Sequence, residues 1–166
     1  MPTAGAPAGI GIAGAEACGL AAGRNPAGGG RSPRVHFYSL CASGAAQAQH
    51  FLTVLPADAG ELPEALDLEL DGNCDARPDA ATVARELGAF LTTVESATAR
   101  PVVLYVGADF ATRYPVTMER PRWVLRFLRR PSGDAAWAVW QVSGFAHVDG
   151  VDGRVDLDIG RVSEPG

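Results

Sequence analysis

The stretch Leu66-Asp67-Leu68-Glu69-Leu70-Asp71-Gly72 alternates apolar and acidic residues with the period of a β-strand. The three leucines therefore share one face of the predicted strand, and the three acids share the other. Neighbouring acids on that face are about 6–7 Å apart, so their carboxylates repel one another. Gly72 ends the strand and leaves the acids near its C-terminal end. Taken alone, the stretch fits a solvated acidic face as well as a functional cluster.

The segments around this strand predict parallel βαβ units. Short β-prone runs lie at 35–40 and 101–106, and Ser43 and Asp79 can each cap a helix whose apolar residues recur at helical spacing. Strand–helix–strand–helix–strand with such short linkers is typical of a parallel sheet covered on both faces. The acids must then line a barrel interior or a crevice at the ligand-binding end of the strands. This context favours the functional cluster.

The pattern changes after residue 106. Three further β-prone runs, at about 122–128, 136–143 and 154–158, are joined by loops rather than by helices, and all three tryptophans lie in this part of the chain. We find no internal repeat and no sign of a second domain. The predicted domain therefore covers residues 34–166 and belongs to the α/β class.

Residues 1–33 differ from the rest of the chain in composition. Nine Gly, nine Ala and four Pro make up two-thirds of this segment. Such a composition buries too little apolar surface to offset its ordering entropy, which predicts a disordered, low-complexity segment. It lacks the basic start and continuous apolar centre of a signal peptide. The GxGxxG pattern at 9–14 lacks the strand before it and the helix after it that a dinucleotide site requires.

Charge and hydrophobicity argue against several classes of partner. The 166 residues carry a formal net charge of −5, which argues against general affinity for nucleic acid or an anionic membrane. No apolar run approaches the roughly 20 residues that span a bilayer, so we expect no membrane insertion. All fourteen basic residues are arginine, and five of them lie within 120–130. We interpret that group as a solvated strand edge and loop, with binding of an anionic ligand as the second interpretation.

The three cysteines, Cys18, Cys41 and Cys74, have no CxxC spacing and no histidine-rich segment beside them. This argues against a zinc site. Cys41 and Cys74 each follow a predicted strand by a few residues. If those strands are parallel neighbours, the two loops meet at one end of the sheet and a disulfide between them is geometrically possible.

The chemistry available to this chain consists mainly of carboxylates and aromatic rings, because no nucleophile elbow, P-loop, HExxH or EF-hand pattern is present. Paired acids serve glycoside hydrolysis, since one donates a proton to the leaving oxygen while another stabilises the positively charged sugar. Crowding raises a carboxyl pKa and favours that group as the proton donor. His36 is predicted to be a packed strand residue rather than a base. Flat faces for sugar rings could come from Tyr38, Tyr105, Trp123 and Trp140, although each alone is more often a core residue.

Seven short segments form a recognisable series along the chain, namely His36-Phe37-Tyr38, Gly44-Ala45-Ala46-Gln47-Ala48 running to Phe51, Leu66-Asp67-Leu68-Glu69, Pro101-Val102-Val103-Leu104-Tyr105, Arg122-Trp123, Trp140-Gln141, and 151–158. In this order they resemble the family-25 glycoside hydrolases, the N-acetylmuramidase type of lysozyme. The likeness covers about residues 34–159. The acidic strand and the closing Asp-Gly-x-Val-Asp element are quite specific together, although either alone would be weak.

The resemblance implies an irregular TIM-like (β/α) barrel whose late strands lack crossover helices. It implies hydrolysis of the β-1,4 bond between N-acetylmuramic acid and N-acetylglucosamine in peptidoglycan, at an extracellular or cell-wall location and without a metal or organic cofactor. By position, Glu69 is the catalytic acid/base, and Asp156 is a third catalytic carboxylate. Asp67 would orient or stabilise the reacting sugar, either through the substrate's 2-acetamido group or as a nucleophile. The expected substrate-binding residues are Tyr38, Asp71, Tyr105, Trp123, Trp140 and Gln141.

The chain also departs from the family pattern. The family begins with a strand carrying Asp-x-Ser-x-x-Gln-Gly, and this sequence has no such motif. We therefore expect a partial barrel that lacks its first strands, with residues 1–33 in their place. A shifted reading frame or a misassigned start is one explanation for that segment. A truncated muramidase could be impaired, which leaves two alternatives: an inactive glycan-binding fragment, or a Mg²⁺-dependent hydrolase using Asp67, Glu69 and Asp71.

Overall fold

A computed structural model of the protein describes the backbone of residues 10–13 and all atoms of 34–55, 63–131, 137–147 and 152–160. Strands and helices alternate through the first part of the described chain, and strands dominate the last part. The elements are β1 (Ile10–Ala13), β2 (Val35–Phe37), α1 (Gly44–Val54), β3 (Ala65–Leu68), α2 (Ala80–Thr98), β4 (Val103–Val106), α3 (Ala108–Arg113), β5 (Arg122–Leu125), β6 (Trp137–Ala146) and β7 (Val155–Gly160).

The strands form one seven-stranded sheet in the order β1-β7-β6-β5-β4-β3-β2. Strands β2 to β6 are parallel neighbours, whereas β7 runs antiparallel to β6 and β1 runs antiparallel to β7. Helices α1 and α2 make the crossovers of two βαβ units, and only the six-residue α3 lies between β4 and β5. The predicted partial TIM-like barrel, with late strands that lack full crossover helices, is confirmed.

The two long helices begin where the sequence predicted. The Ser43 side chain accepts a hydrogen bond from the Ala46 amide at 3.3 Å, and Asp79 accepts one from Thr82 at 2.7 Å. The helices pack closely at Gly44, where an added Cβ would lie 1.8 Å from the Glu86 carbonyl oxygen. Glycine at this position therefore allows α1 and α2 to touch.

The acidic strand is shorter than predicted. Strand β3 ends at Leu68, so Glu69 follows the strand, and residues 70–73 form a turn instead of continuing it. Hydrogen bonds from the Asn73 side chain accompany the early end. The Asn73 side-chain amide donates to the carbonyls of Tyr38 and Glu69, at 2.7 and 2.9 Å, and thereby takes up backbone acceptors that a longer strand would have used.

Strand β1 was not predicted, because it lies inside the segment expected to be disordered. Its pairing places Gly11 opposite Asp158 and Ala13 opposite Asp156. A four-residue strand that depends on a distant partner leaves little local signal in the sequence. Apart from β1, the predicted disorder of 1–33 falls outside the described residues.

The two faces of the sheet carry separate apolar clusters. On the helix side, Leu66 and Leu68 of β3 are fully buried with Phe51 and Phe90 of the helices. The opposite face holds a smaller cluster of buried side chains, namely Ala65, Val103, Trp123 and Val139. That second face is the concave interior, so it is the face available to a ligand.

The disulfide that the sequence left as a possibility is present. Cys41 and Cys74 are bonded, with their Cα atoms 6.2 Å apart, because β2 and β3 are parallel neighbours whose following loops meet. Cys18 lies outside the described residues. His36 is a packed residue as predicted, with its ring stacked on Phe90 at 5.2 Å and its Nε2 atom 3.2 Å from Gln47 Oε1. None of the helices in the described ranges combines the length and apolarity that a membrane span requires.

Candidate active site

A row of four residues crosses the concave face of the sheet. The register places Phe37 beside Asp67, Asp67 beside Tyr105, and Tyr105 beside Trp123 on four successive strands. Residues paired in register point to the same face. Tyr105 and Trp123 are in edge-to-face contact, with ring centroids 6.1 Å apart. The row therefore places Asp67 between Phe37 and Tyr105, with Trp123 one strand further along.

The sheet curls so that its two ends approach one another. Four strand spacings separate β3 from β7, which is about 19 Å in a flat sheet. Asp156 on β7 nevertheless acts electrostatically on both Glu69 and Tyr105. Trp123 Nε1 also donates a 2.9 Å hydrogen bond to Asp158 Oδ1 across β6. The curl brings carboxylates from distant parts of the sequence to one hollow.

Glu69 lies half-buried just beyond the end of β3 and is hydrogen-bonded to Tyr105. Burial raises its pKa, and the negative charges of Asp109, Asp71 and Asp156 raise it further. The hydrogen bond from Tyr105 opposes these effects because it stabilises the ionised carboxylate. Glu69 is thus a carboxyl group that holds its proton to higher pH than an ordinary glutamate.

Because Gly107 has no side chain, there is room beside it for the side chain of Glu69. A Cβ built on Gly107 would lie 3.1 Å from Glu69 Cγ and 2.8 Å from Asp109 Oδ1. Any larger residue would therefore displace one of these two acids. The amide of Gly107 also donates a 2.9 Å hydrogen bond to the Leu68 carbonyl, which fixes the loop after β4 beside the end of β3.

Asp67 is the more deeply buried of the two acids on the central segment. Burial raises its pKa to about 7, and the neighbouring charge of Glu69 contributes to the increase. Its Oδ1 atom is buried and has no hydrogen-bond partner among the described residues. An unpartnered buried oxygen in a hollow is suited to accept a hydrogen bond from a ligand.

Asp156 completes the acidic cluster from the far end of the chain. Burial raises its pKa, and a hydrogen bond from the Gln141 side chain lowers it again. Gln141 lies opposite Asp158 in the β6–β7 register. Glu69, Asp67 and Asp156 therefore face one hollow, with Gln141 at its edge.

Sequence analysis missed Asp158. It is buried, with 3% of its surface exposed, and burial raises its pKa to about 7 while the Trp123 hydrogen bond opposes the increase. The alternation in Val155-Asp156-Leu157-Asp158 would have placed both acids on one face of the strand. Strand periodicity was therefore the available signal, and Asp158 belongs with the acids of the concave face.

Sequence analysis also missed Asp109, in the first turn of α3. Its Oδ2 atom accepts hydrogen bonds from the amides of Leu70 and Asp71, at 3.1 and 3.2 Å. Asp109 therefore holds the turn that follows Glu69. Asp109 left no comparable signal, because its partners lie 38 and 39 residues away in the sequence.

Three expected substrate-binding residues are placed differently from the rest. Tyr38 is 1% exposed and packs edge-on against Phe90 in the helix-side core. Trp140 alternates with Val139 and so lies on the opposite face of β6, where its Nε1 donates to the Arg126 carbonyl at 2.7 Å. Asp71 is exposed in the turn and reaches Glu69 only through its charge.

A cleft of about 440 Å³ opens at the C-terminal ends of β4 and β5. Tyr105 and Trp123 contribute to its wall, together with Gly107 and Arg126. The C-terminal ends of parallel strands are where α/β folds place their ligands. The cleft adjoins the acidic cluster through Tyr105, which lines the cleft and is hydrogen-bonded to Glu69.

The described residues contain no group of three His, Cys, Asp or Glu side chains arranged to hold a metal ion. Asp67, Glu69 and Asp71 do not converge, because Asp71 lies in the exposed turn while Asp67 points into the concave face. The geometry thus does not favour the magnesium-dependent alternative.

Comparison with protein-family models agrees with this arrangement. The model of the glycosyl hydrolases family 25 matches residues 27–151. The chain belongs to glycosyl hydrolase family 25. The same match covers β2 to β6 and reaches the loop before β7, so it includes the acidic strand and both site aromatics.

Relatives of this family-25 chain include the uncharacterized protein YegX of Escherichia coli K12, which is 33% identical over 138 residues. That alignment covers 78% of this chain and 48% of YegX. A YegX protein of Escherichia coli O157:H7 is 32% identical over 131 residues, covering 75% and 46% of the two chains. The chain thus spans about half the length of the curated relatives it matches.

Solved structures show the same fold. A family 25 glycosyl hydrolase from Bacillus anthracis superposes with a TM-score of 0.62 at 24% identity, covering 78% of this chain and 64% of that one. A bacterial lysozyme from Streptomyces coelicolor gives a TM-score of 0.57 at 25% identity, covering 78% and 67%. The family assignment made from the quoted sequence segments is confirmed.

Proposed function

We propose that this chain carries the catalytic face of a muramidase, which hydrolyses the β-1,4 bond between N-acetylmuramic acid and N-acetylglucosamine. The supporting observation is the state of Glu69, a half-buried carboxyl group beside Tyr105 whose pKa is raised by burial and by the charges of three other acids. A carboxyl group that keeps its proton can serve as the general acid in glycoside hydrolysis. Membership of family 25 and the likeness to the Streptomyces coelicolor lysozyme support the same reaction class.

In the proposed reaction, Glu69 donates its proton to the glycosidic oxygen as the bond to the anomeric carbon breaks. The ionised Asp67 stabilises the positive charge that develops on the sugar, either through the 2-acetamido group or by direct attack. Glu69 then acts as the base that takes a proton from the incoming water. Because burial also raises the pKa of Asp67, to about 7, the two acids titrate as a pair. The active form is the one in which Asp67 is ionised and Glu69 holds the single proton.

The decisive experiment compares Glu69→Gln with the unchanged chain on purified cell walls. Glutamine has the shape of the acid but has no carboxyl proton to donate, so turnover should fall at least ~100-fold while binding is retained. Release of reducing ends measures turnover, and co-sedimentation with the walls measures binding. Glu119→Gln, at an exposed position, is the matched control and should behave as the unchanged chain. Equal turnover in the Glu69 variant would remove Glu69 from the acid role.

A non-catalytic glycan-binding fragment is the second candidate. It is favoured by the described part of the sheet, whose end strands β1 and β2 are not paired with each other, and by the absent Asp-x-Ser-x-x-Gln-Gly motif. This candidate predicts that wall binding survives Glu69→Gln while neither form releases reducing ends. Turnover and wall binding together therefore distinguish the two candidate functions.

A further inference from the structure

An exposed aromatic surface lies beside the acidic hollow. Phe127 and Phe145 are 52% and 61% exposed, and their rings stack with centroids 5.8 Å apart. Leu128, which follows Phe127 in the chain, is 87% exposed. Large apolar side chains grouped in water are typical of a binding surface. We call Phe127, Leu128 and Phe145 the aromatic shelf.

The shelf is held rigidly by the sheet beneath it. The amides of Arg126 and Leu128 donate to the carbonyls of Gln141 and Val142 on β6, at 3.0 and 3.1 Å. Trp140 Nε1 donates to the Arg126 carbonyl at 2.7 Å. A surface fixed in this way loses little conformational entropy when a ligand binds.

The shelf adjoins the acids directly. A Cβ built on Gly144 would lie 3.4 Å from Asp156 Oδ1 and 3.9 Å from Phe127 Cε1, so this glycine alone separates the carboxylate from the ring. On the other side, Leu125 and Arg126 line the same cleft as Tyr105 and Trp123. A polymer bound in the cleft can therefore continue onto the shelf.

The rim of the shelf is positively charged, in contrast to the acidic hollow. Arg129 and Arg130 are exposed in the loop that follows Leu128. The Arg154 guanidinium lies 5.4 Å from the Phe145 ring centroid, in cation–π contact. None of these three arginines forms an ion pair within the described part of the chain. The arginines suit a ligand that carries carboxylates.

We propose that the aromatic shelf and its arginines bind peptide-substituted muramic acid units of the glycan, next to the unit that is cleaved. The sugar face and its N-acetyl methyl group contact Phe127 and Phe145, and the carboxylates of the attached acidic peptide pair with the arginines. A peptide-free muramic acid unit carries one carboxylate, on the lactyl group close to the sugar ring. In a peptide-bearing unit the lactyl group is amide-linked, and the carboxylates lie along the acidic peptide, farther from the sugar. This inference rests on the proposed function and adds a preference for peptide-bearing over peptide-free strands.

The test measures binding of soluble peptidoglycan fragments of two kinds, peptide-bearing and enzymatically stripped of peptide. The variant Arg129→Glu/Arg130→Glu should lose about tenfold in affinity for peptide-bearing fragments and less than about twofold for stripped ones. The loss should shrink as salt concentration rises, because exposed charges are screened. Phe145→Ala should weaken binding of both kinds. The double variant Arg77→Glu/Arg85→Glu reverses the same number of charges at exposed positions outside the shelf and is the charge-matched control.

The possible failures are distinguishable. If the unchanged chain binds neither fragment, the substrate class of the proposed function fails and this inference falls with it. If it binds both and the double arginine variant loses nothing, only the shelf proposal is wrong. Sedimentation velocity tests whether a second copy of the chain occupies the shelf. A dimer that dissociates in the Phe145→Ala variant would make the shelf an interface between copies and would overturn the proposal of glycan binding. Matching circular dichroism spectra and melting temperatures establish that each variant is folded.

Discussion

Trp123 and Asp158 form a buried hydrogen bond of 2.9 Å between Nε1 and Oδ1, although β6 lies between their strands. The bond ties the indole on β5 to the last strand of the sheet. It leaves Asp158 Oδ2 buried without a partner among the described residues. The burial of this oxygen without a partner therefore lowers the stability of the folded protein, at a position that faces the acidic cluster.

We predict that Asp158→Asn stabilises the protein above neutral pH. The folded-state pKa of Asp158 is raised to about 7, above its unfolded value, so the contribution of this group to stability is fully present below its unfolded pKa and is lost as pH rises through about 7. Asparagine keeps the oxygen that accepts from Trp123 but cannot ionise. By linkage, the free energy of unfolding of the variant should exceed that of the wild type by a few kcal/mol at pH 8, with ~4 kcal/mol as an upper bound, and the difference should vanish near pH 4.

Urea unfolding at pH 4, 6 and 8 measures this difference. Asp75→Asn, at an exposed position, is the control and should leave the pH dependence unchanged. A variant that is less stable than wild type at pH 8 would contradict the prediction, and would mean that the carboxylate has a partner beyond the described residues.

We predict that Tyr105→Phe shifts the pH profile of catalysis upward. The hydrogen bond from Tyr105 lowers the pKa of Glu69, so its removal should raise that pKa further. The alkaline limb of kcat/KM, where the acid loses its proton, should then move to higher pH, while the maximum falls by about tenfold. Tyr114→Phe is the control, because the Tyr114 hydroxyl bonds to the Pro78 carbonyl, away from the acids. A limb that stays in place or moves down would show that another group controls it.

We predict that Gly107→Ala lowers activity far more than stability. The added methyl group would lie 2.8 Å from Asp109 Oδ1 and 3.1 Å from Glu69 Cγ, so Asp109 must shift and Glu69 must move by a few tenths of an ångström. Because a displacement of about 1 Å at a catalytic group can cost on the order of 100-fold in rate, this smaller displacement should cost about tenfold. Gly88→Ala is the matched control, since nothing lies within 4 Å of its added Cβ and alanine favours the interior of helix α2. The free energy of unfolding of that control should rise by about 0.5–1 kcal/mol, and its activity should be unchanged. Equal activity of the two variants would refute the assigned position of Glu69.

We predict that denatured, unreduced protein has one titratable thiol. The chain has three cysteines, and Cys41 and Cys74 are bonded to each other. Reduction should lower the free energy of unfolding by about 2–4 kcal/mol, because the bond closes a loop of 33 residues. The double variant Cys41→Ser/Cys74→Ser is the control and should be insensitive to reductant. Three thiols in the unreduced protein would contradict the disulfide.

The sequence by itself determined the six strands from β2 to β7, the two long helices and their order. Ser43 and Asp79 act on amides three residues away, so their caps could be identified locally. Short linkers required parallel βαβ units, and from that followed the meeting of Cys41 and Cys74. The alternation at 66–69 likewise indicated which side chains would face the concave side of the sheet.

Only the tertiary structure decided how the site closes. The curl of the sheet brings Asp156 and Asp158 to acids and rings of earlier strands, and no local pattern specifies that curl. Distant partners also ended β3 at Leu68, since Asp109 binds the amides of the following turn. These features depend on contacts between residues tens of positions apart, whereas periodicity and capping report only on neighbours.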